Sequence, residues 1–437
     1  MKTVSTIARA MQSFVIEGGR PLSGRIRATG NKNGALPILA ACVLASDEVR
    51  LSNVPRIRDV ETMLELLADI GADVEWTGPN EIRVDPRGVG KTDLDGVLAR
   101  EIRASFLLAG PLLARFGRAT VPPPGGDVIG RRRLDTHIRA FQELGVEVEL
   151  NGAYEMRTDG LRGKRLYLDE ASVMGTENAI MAAVLAEGRT CVSHAACEPH
   201  IQDLCRFLVA LGARIEGIGS NVLHIEGVEE LGGGEYRIGP EHVEGASFAV
   251  LAAVTGGDVT IEDVEPDDLI AIVPAFRKLG IQMEITDRSV HVGAGQDLRV
   301  VDDLGDQIPK IESGVWPAFP ADLTSIALAC ATQSHGTVLI FEKMFENRLF
   351  FVDKLVSMGA RIILCDPHRA VVTGPARLYG QRLESPDSIR AGMALVIAAL
   401  CAEGRSSIGN IGQIDRGYER IDERLRELGA SIERADQ

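Results

Sequence analysis

The hydrophobic positions of the chain follow one pattern that recurs six times. Each unit opens with a helix of small apolar residues, passes through a short β-branched strand and a loop, and then enters an amphipathic helix followed by further strand. The opening helices read NGALPILAACVLA, RASFLLAGPLLA, ENAIMAAVLA, EGASFAVLAAV, DLTSIALACAT and RAGMALVIAALCA. They are apolar nearly all round, which predicts that they lie inside the fold with sheets outside them. The amphipathic helices are expected to stop at Gly71, Gly145, Gly212, Gly280, Gly359 and Gly429, since glycine readily takes the left-handed helix-stop conformation. These stops lie roughly 70 residues apart, which sets the unit length. Three glycines in EELGGGEYRIGP, between the third and fourth units, predict a hinge. The expected fold is therefore α/β: an inside-out α/β barrel arrangement of two similar domains, each of three units with buried helices and outer sheets. Residues 31–234 are expected to form the first domain, and residues 1–30 with 235–437 the second. Ligands are expected in the cleft between them.

Composition narrows the partners. An excess of 62 acidic over 47 basic residues gives a net charge of −15, which opposes binding to nucleic acid or an anionic membrane unless basic residues gather locally. No run of 18 apolar residues occurs, and MKTVSTIARAMQSFVIEGG lacks the apolar stretch of an export signal. Seven scattered cysteines without a CxxC spacing read as reduced thiols, so a cytoplasmic location is expected. No histidines stand at metal-ligand spacing; His194 and His200 in SHAACEPH read as loop residues, and neither metal nor cofactor is expected.

Local positive charge is concentrated at two slots. Superposed on their opening helices, the units place Asn33, Arg103, Asn178, Gly245, Asp322 and Arg390 where each helix begins. Helix N-termini offer unpaired N–H groups and partial positive charge, so several of them facing one cleft would trap an anion. Arginine is a poor cap there, but Arg103 and Arg390 make sense as grips on a phosphate or carboxylate. The second slot is the loop before each amphipathic helix, where GGDVIGRRRLD, FEKMFENR with Arg348 and GQIDRGYER with Arg416 are basic. Arg56 and Arg58, in NVPRIRD, read as surface residues. Two carboxylates stand against this background: Asp322, an N-cap or a general base, and Asp127, an ordinary turn residue or a general acid on the flexible loop 122–133.

The six-unit design together with GNKNGALPILAA, RAS, PGGDVIG, FENR and IDRGYERI resembles the enolpyruvyl transferases over nearly the whole chain, on the branch that acts on UDP-N-acetylglucosamine. The sister branch that makes enolpyruvylshikimate phosphate normally opens with Ser-Lys-Ser where this chain has Asn31-Lys32-Asn33. The resemblance implies transfer of the enolpyruvyl group of phosphoenolpyruvate to the sugar 3-hydroxyl with release of phosphate, the first committed step of peptidoglycan synthesis. It implies that Lys32, Arg132 and Arg416 hold phosphoenolpyruvate with Arg348 and Arg390, and that Asn33 orients the substrates. Arg103 and the run Arg132, Arg133, Leu134, Asp135 and Thr136 would meet the nucleotide sugar, with Ser172 and Val173 near its diphosphate and Met344 near the sugar. Asp127 stands where the family commonly has cysteine; it would protonate the methylene carbon, Asp322 would take the hydroxyl proton, and fosfomycin would lack its thiolate target. Met174, Ala321, Thr324 and Gln413 depart from the family's usual residues, so a paralogous transferase with a different nucleotide or sugar-nucleotide acceptor is the alternative.

Overall fold

The computed structural model describes residues 12–436; Met1–Met11, and with them much of the N-terminal stretch read above, lie outside the described residues. Six opening helices occupy the interior. They span Lys32–Ala41, Ala109–Phe116, Val173–Ala183, His242–Val254, Thr324–Ala331 and Ile389–Cys401, the second and fifth being preceded by 3-10 turns at Arg103–Leu108 and Ala321–Leu323. Most of their residues are buried; in Ile389–Cys401 every residue through Leu400 is buried. This follows from their composition, since a helix with no polar face has none to offer water.

Among the described residues, six small sheets surround them, five of four strands and one of three. In the first unit, for example, Val49–Ser52 runs antiparallel to Glu81–Asp85, which in turn pairs with Asp73–Gly78. The amphipathic helices Arg58–Asp69, Asp135–Glu143, Pro199–Ala210, Ile272–Lys278, Val352–Ser357 and Ile421–Glu427 pack one face inward. The six glycines after them all have positive φ, between +90° at Gly280 and +111° at Gly212, so each stop uses a conformation that a side chain would strain.

Two separate hydrophobic cores result, one drawn from residues between Ala35 and Ile238, the other from Phe14 to Ile26 and Val243 to Ile432. The glycine run at 232–234 leads into the strand Gly234–Arg237, which pairs with Val49–Ser52 and stays on the first lobe. Gly233 is required there because a Cβ would lie 2.3 Å from the Glu48 carbonyl oxygen. The chain crosses between lobes at Gly239–Pro240, beside the earlier crossing at Thr29–Gly30, to which it is bridged.

Candidate active site

All six opening helices, or the 3-10 turns leading into them, begin at one cavity of about 260 Å³ between the lobes. Its lining takes Lys32 and Asn33 from the first, Arg103 and Ala104 from the second, Val173 and Met174 from the third, His242 and Val243 from the fourth, Ala321 and Asp322 from the fifth, and Ile389 and Arg390 from the sixth. Loops add Asp127, Arg132, Met344, Arg348 and Arg416. An acidic protein thus gathers arginines, a lysine and convergent helix starts around one small space, where an anion gains most from them.

The superposition misplaces two residues. Asn178 and Gly245 lie inside their helices, which begin earlier than the apolar run suggests, at Val173 and His242. Asn178 is fully buried; its amide donates to the Phe106 carbonyl, and its Oδ1 accepts from the Gly110 N–H, tying the second and third helices together. His200 is likewise not a loop residue: it sits in the first turn of Pro199–Ala210 and lines the cavity.

On the second-lobe wall, Asp322 makes no capping bond and instead accepts from Arg348 Nη2 at 3.0 Å and Arg390 Nε at 3.2 Å. Burial works to raise its pKa, but Arg390 and Arg348 outweigh it and hold the carboxyl well below the usual carboxylate range. Both arginines are themselves buried, and Arg348 Nε and Arg390 Nη1 have no hydrogen-bond partner among the described residues. Arg390 packs over Tyr418, with Glu241 3.6 Å away, and Arg348 over Phe345. Glu342 sets the loop carrying Met344 and Phe345: fully buried, it accepts from both of their N–H groups and from Ser313 and Thr324 hydroxyls.

Lys32 and Arg416 are bridged by Asp59, whose carboxylate lies 2.7 Å from Lys32 Nζ and 2.8 Å from Arg416 Nε. Burial opposes that charge, and the two cations prevail, lowering the pKa of Asp59. Arg416 Nη1 also donates to Gln413 and, at 2.6 Å, to Asp127. The loop 122–133 is closed over the cleft. Besides Arg416, Asp127 accepts from the Ile389 N–H at the start of the sixth helix. Val128 donates to the Asp387 carbonyl, Asn347 donates to that of Ile129, and Arg131 donates its N–H to Glu346. Arg103 holds the other end of the loop by donating to the Arg132 and Arg133 carbonyls. Burial, with Arg132 beside it, pushes the Arg103 guanidinium down to about 10.

Arg133, Leu134, Asp135, Thr136 and Ser172 lie outside the cavity lining. Arg133 pairs with Asp135 on the surface, Leu134 is buried at the head of its helix, and Thr136 donates to Asp169. Ser172 caps the third helix by accepting from the Gly175 N–H, and a Cβ on Gly175 would lie 3.0 Å from Thr136, so these segments meet at the cavity's edge. Arg56 and Arg58 pair with Glu61 and Glu101 at the surface. Asp59, Glu241 and Glu342 carried no signal in the sequence, because single acids in loops and helix starts are commonplace. Among the described residues no cluster of His, Cys, Asp and Glu is placed to hold a metal, and no helix is long and apolar enough to cross a membrane.

Comparison with known proteins agrees with this geometry. The family model for EPSP synthase (3-phosphoshikimate 1-carboxyvinyltransferase) matches residues 16–425. A UDP-N-acetylglucosamine 1-carboxyvinyltransferase from Bradyrhizobium diazoefficiens is 54% identical over 97% of this chain and 98% of its own. One from Treponema denticola is 53% identical over 97% and 99%. Among solved structures, the enolpyruvyl transferase NikO from Streptomyces tendae superposes with a TM-score of 0.88 at 22% identity, covering 98% of this chain and all of that one. An EPSP synthase from Acinetobacter baumannii gives 0.74 at 18%, over 97% of this chain and all of its own. The two-lobed inside-out fold is thus shared, and the chain belongs to the enolpyruvyl (1-carboxyvinyl) transferase family, among its UDP-N-acetylglucosamine 1-carboxyvinyltransferase members.

Proposed function

We propose that the protein transfers the enolpyruvyl group of phosphoenolpyruvate to the 3-hydroxyl of UDP-N-acetylglucosamine, releasing phosphate, in the first committed step of peptidoglycan synthesis in the cytoplasm. The observation that carries this reading is the cavity into which six helix starts, Lys32, Arg132, Arg348, Arg390 and Arg416 converge, with Asp322 fixed on its wall and Asp127 brought in by the loop. The two lobes divide at the crossings Thr29–Gly30 and Gly239–Pro240, a few residues beyond the boundary at 234 expected from the glycine run. Phosphoenolpyruvate is held by Lys32, Arg132 and Arg416, and the unspent donors of Arg348 and Arg390 complete its anion site. Asn33 orients it against the sugar. Arg103, Arg133, Leu134, Asp135 and Thr136 meet the nucleotide, Ser172 and Val173 its diphosphate, and Met344 the sugar.

Asp322 takes the proton of the 3-hydroxyl as that oxygen bonds to C2, while Asp127 gives a proton to C3. The adduct carries both the sugar ether and the phosphate on C2. Loss of a C3 proton with departure of phosphate then restores the double bond. In the closed state Asp127 accepts from Arg416 and the Ile389 N–H, the donors an incoming anion would claim. Substrate binding therefore takes over these donors and frees the Asp127 side chain to face the methylene carbon. Closure also keeps water from the electrophilic carbon.

The test is release of phosphate on mixing protein, phosphoenolpyruvate and UDP-N-acetylglucosamine; turnover only with UMP or another sugar nucleotide would contradict the acceptor. Fosfomycin should leave the protein active and inactivate Asp127→Cys, as read by the mass of the modified loop peptide. Alkylation of Asp127 itself would refute that expectation.

A further inference from the structure

The first-lobe wall of the cavity carries three side chains that the reaction above does not use: Glu177 from the third opening helix, and Glu198 and His200 from the start of Pro199–Ala210. His200 is only 6% exposed, yet neither ring nitrogen has a partner among the described residues, and Glu177 Oε1 and Glu198 Oε2 are equally bare. Buried polar atoms are ordinarily paired, so a cluster of four unpaired ones on a cavity wall marks a place where a ligand supplies the partners. His200 also borders a second cavity at the lobe junction, beside Asp203 and Asp268, but Glu177 and Glu198 open only on the first.

The chemistry of the cluster differs from that of the arginine wall. Burial pushes the His200 imidazole down to about 3, so the ring is uncharged near neutral pH, and burial with Glu198 alongside lifts the Glu177 carboxyl well above its ordinary value. An uncharged imidazole on a buried wall matches hydroxyl or amide groups rather than anions. His200 is close enough to Asp322 for its ring to feel that charge. In the reaction proposed above, Asp322 receives the proton of the 3-hydroxyl, so groups on the neighbouring sugar carbons approach this wall.

We propose that His200 is a specificity-determining residue that hydrogen-bonds the acceptor sugar on a carbon adjacent to the reacting 3-hydroxyl. The inference rests on that reaction and would fix which sugar the site accepts. A site built to pair a sugar group discriminates against a sugar lacking it, because its own polar atoms are then left bare.

The test is steady-state kinetics of the wild-type protein, His200→Leu and His200→Gln, with UDP-N-acetylglucosamine, its 4-deoxy analogue and UDP-glucose, which lacks the 2-acetamido group. His200→Leu should lower kcat/KM for UDP-N-acetylglucosamine about tenfold, through a raised KM for that substrate, and leave the KM for phosphoenolpyruvate unchanged. One analogue should lose about tenfold in the wild type and nothing further in His200→Leu, while His200→Gln should recover part of the loss. Unchanged sugar-nucleotide KM, or losses that multiply for both analogues, would overturn the proposal. Where His200→Leu does not fold, the same coupling measured in His200→Gln decides. A wild-type protein inactive with UDP-N-acetylglucosamine would instead remove the reaction itself and the inference with it.

Discussion

Two carboxyl groups on opposite walls of the cavity, Asp322 and Glu177, are shifted in opposite directions. On the second-lobe wall Asp322 faces Arg348 and Arg390 and stays ionised far into acid; on the first-lobe wall burial, with Glu198 alongside, raises the pKa of Glu177. The difference shows that burial alone does not decide the charge of an acid. What decides it is whether a fixed cation lies near enough to outweigh the loss of water. Asp322 is thereby prepared to accept a proton, while the corner formed by Glu177, Glu198 and His200 suits neutral polar groups.

Exchanging a carboxyl for a carboxamide should separate the two walls most sharply. Asp322→Asn should lower kcat by about 10³-fold, since the general base is lost, with an unchanged melting temperature as the control; turnover near normal would remove Asp322 from its role. The same change at Glu177 should matter little: Glu177→Gln keeps a hydrogen-bonding group of the same shape, and kcat/KM should stay within about threefold. A large loss there would show that Glu177 works as an ion. Between these extremes, Arg416→Ala should raise the KM for phosphoenolpyruvate roughly 10- to 100-fold while changing that for the sugar nucleotide far less, as read from initial rates. Equal rises in both would blur the walls into one.

The smallest effect concerns stability. His137 is buried, its ring beside Asn178 and Phe106, and burial, with Arg103 nearby, pushes its pKa down to about 3. Below about pH 6.5 the unfolded chain takes up a proton that the folded one refuses, so stability is full above that value and falls as the pH drops toward 3. The slope from one such group is at most about 1.4 kcal/mol per pH unit. His137→Gln should therefore flatten the acid side of the melting-temperature profile between pH 6.5 and 4.5; an unaltered profile would contradict this.

The fold was largely legible because it is written in periodicity. Apolar helices that have no polar face and glycines that end the outer helices announce themselves without tertiary knowledge. Helix starts were less legible. Ser172-Val173-Met174-Gly175 looks like loop, yet the Ser172 hydroxyl accepts from the Gly175 N–H and begins the helix five residues before Asn178. Arginines in basic loops stood out against an acidic chain, whereas Asp59, Glu241 and Glu342 did not, because their importance comes from neighbours distant in sequence. Asp59 and Arg416, for instance, meet across 357 positions of chain.

The claim on which the account turns is that the loop acid Asp127 adds a proton to C3 and that a C3 proton later leaves. The direct measurement is turnover of phosphoenolpyruvate and UDP-N-acetylglucosamine in D₂O, with mass spectrometry of the enolpyruvyl product. The account predicts deuterium in the product's vinylic methylene, and neither product nor label with Asp127→Asn. Product formed at the normal rate with no deuterium at that carbon would contradict it.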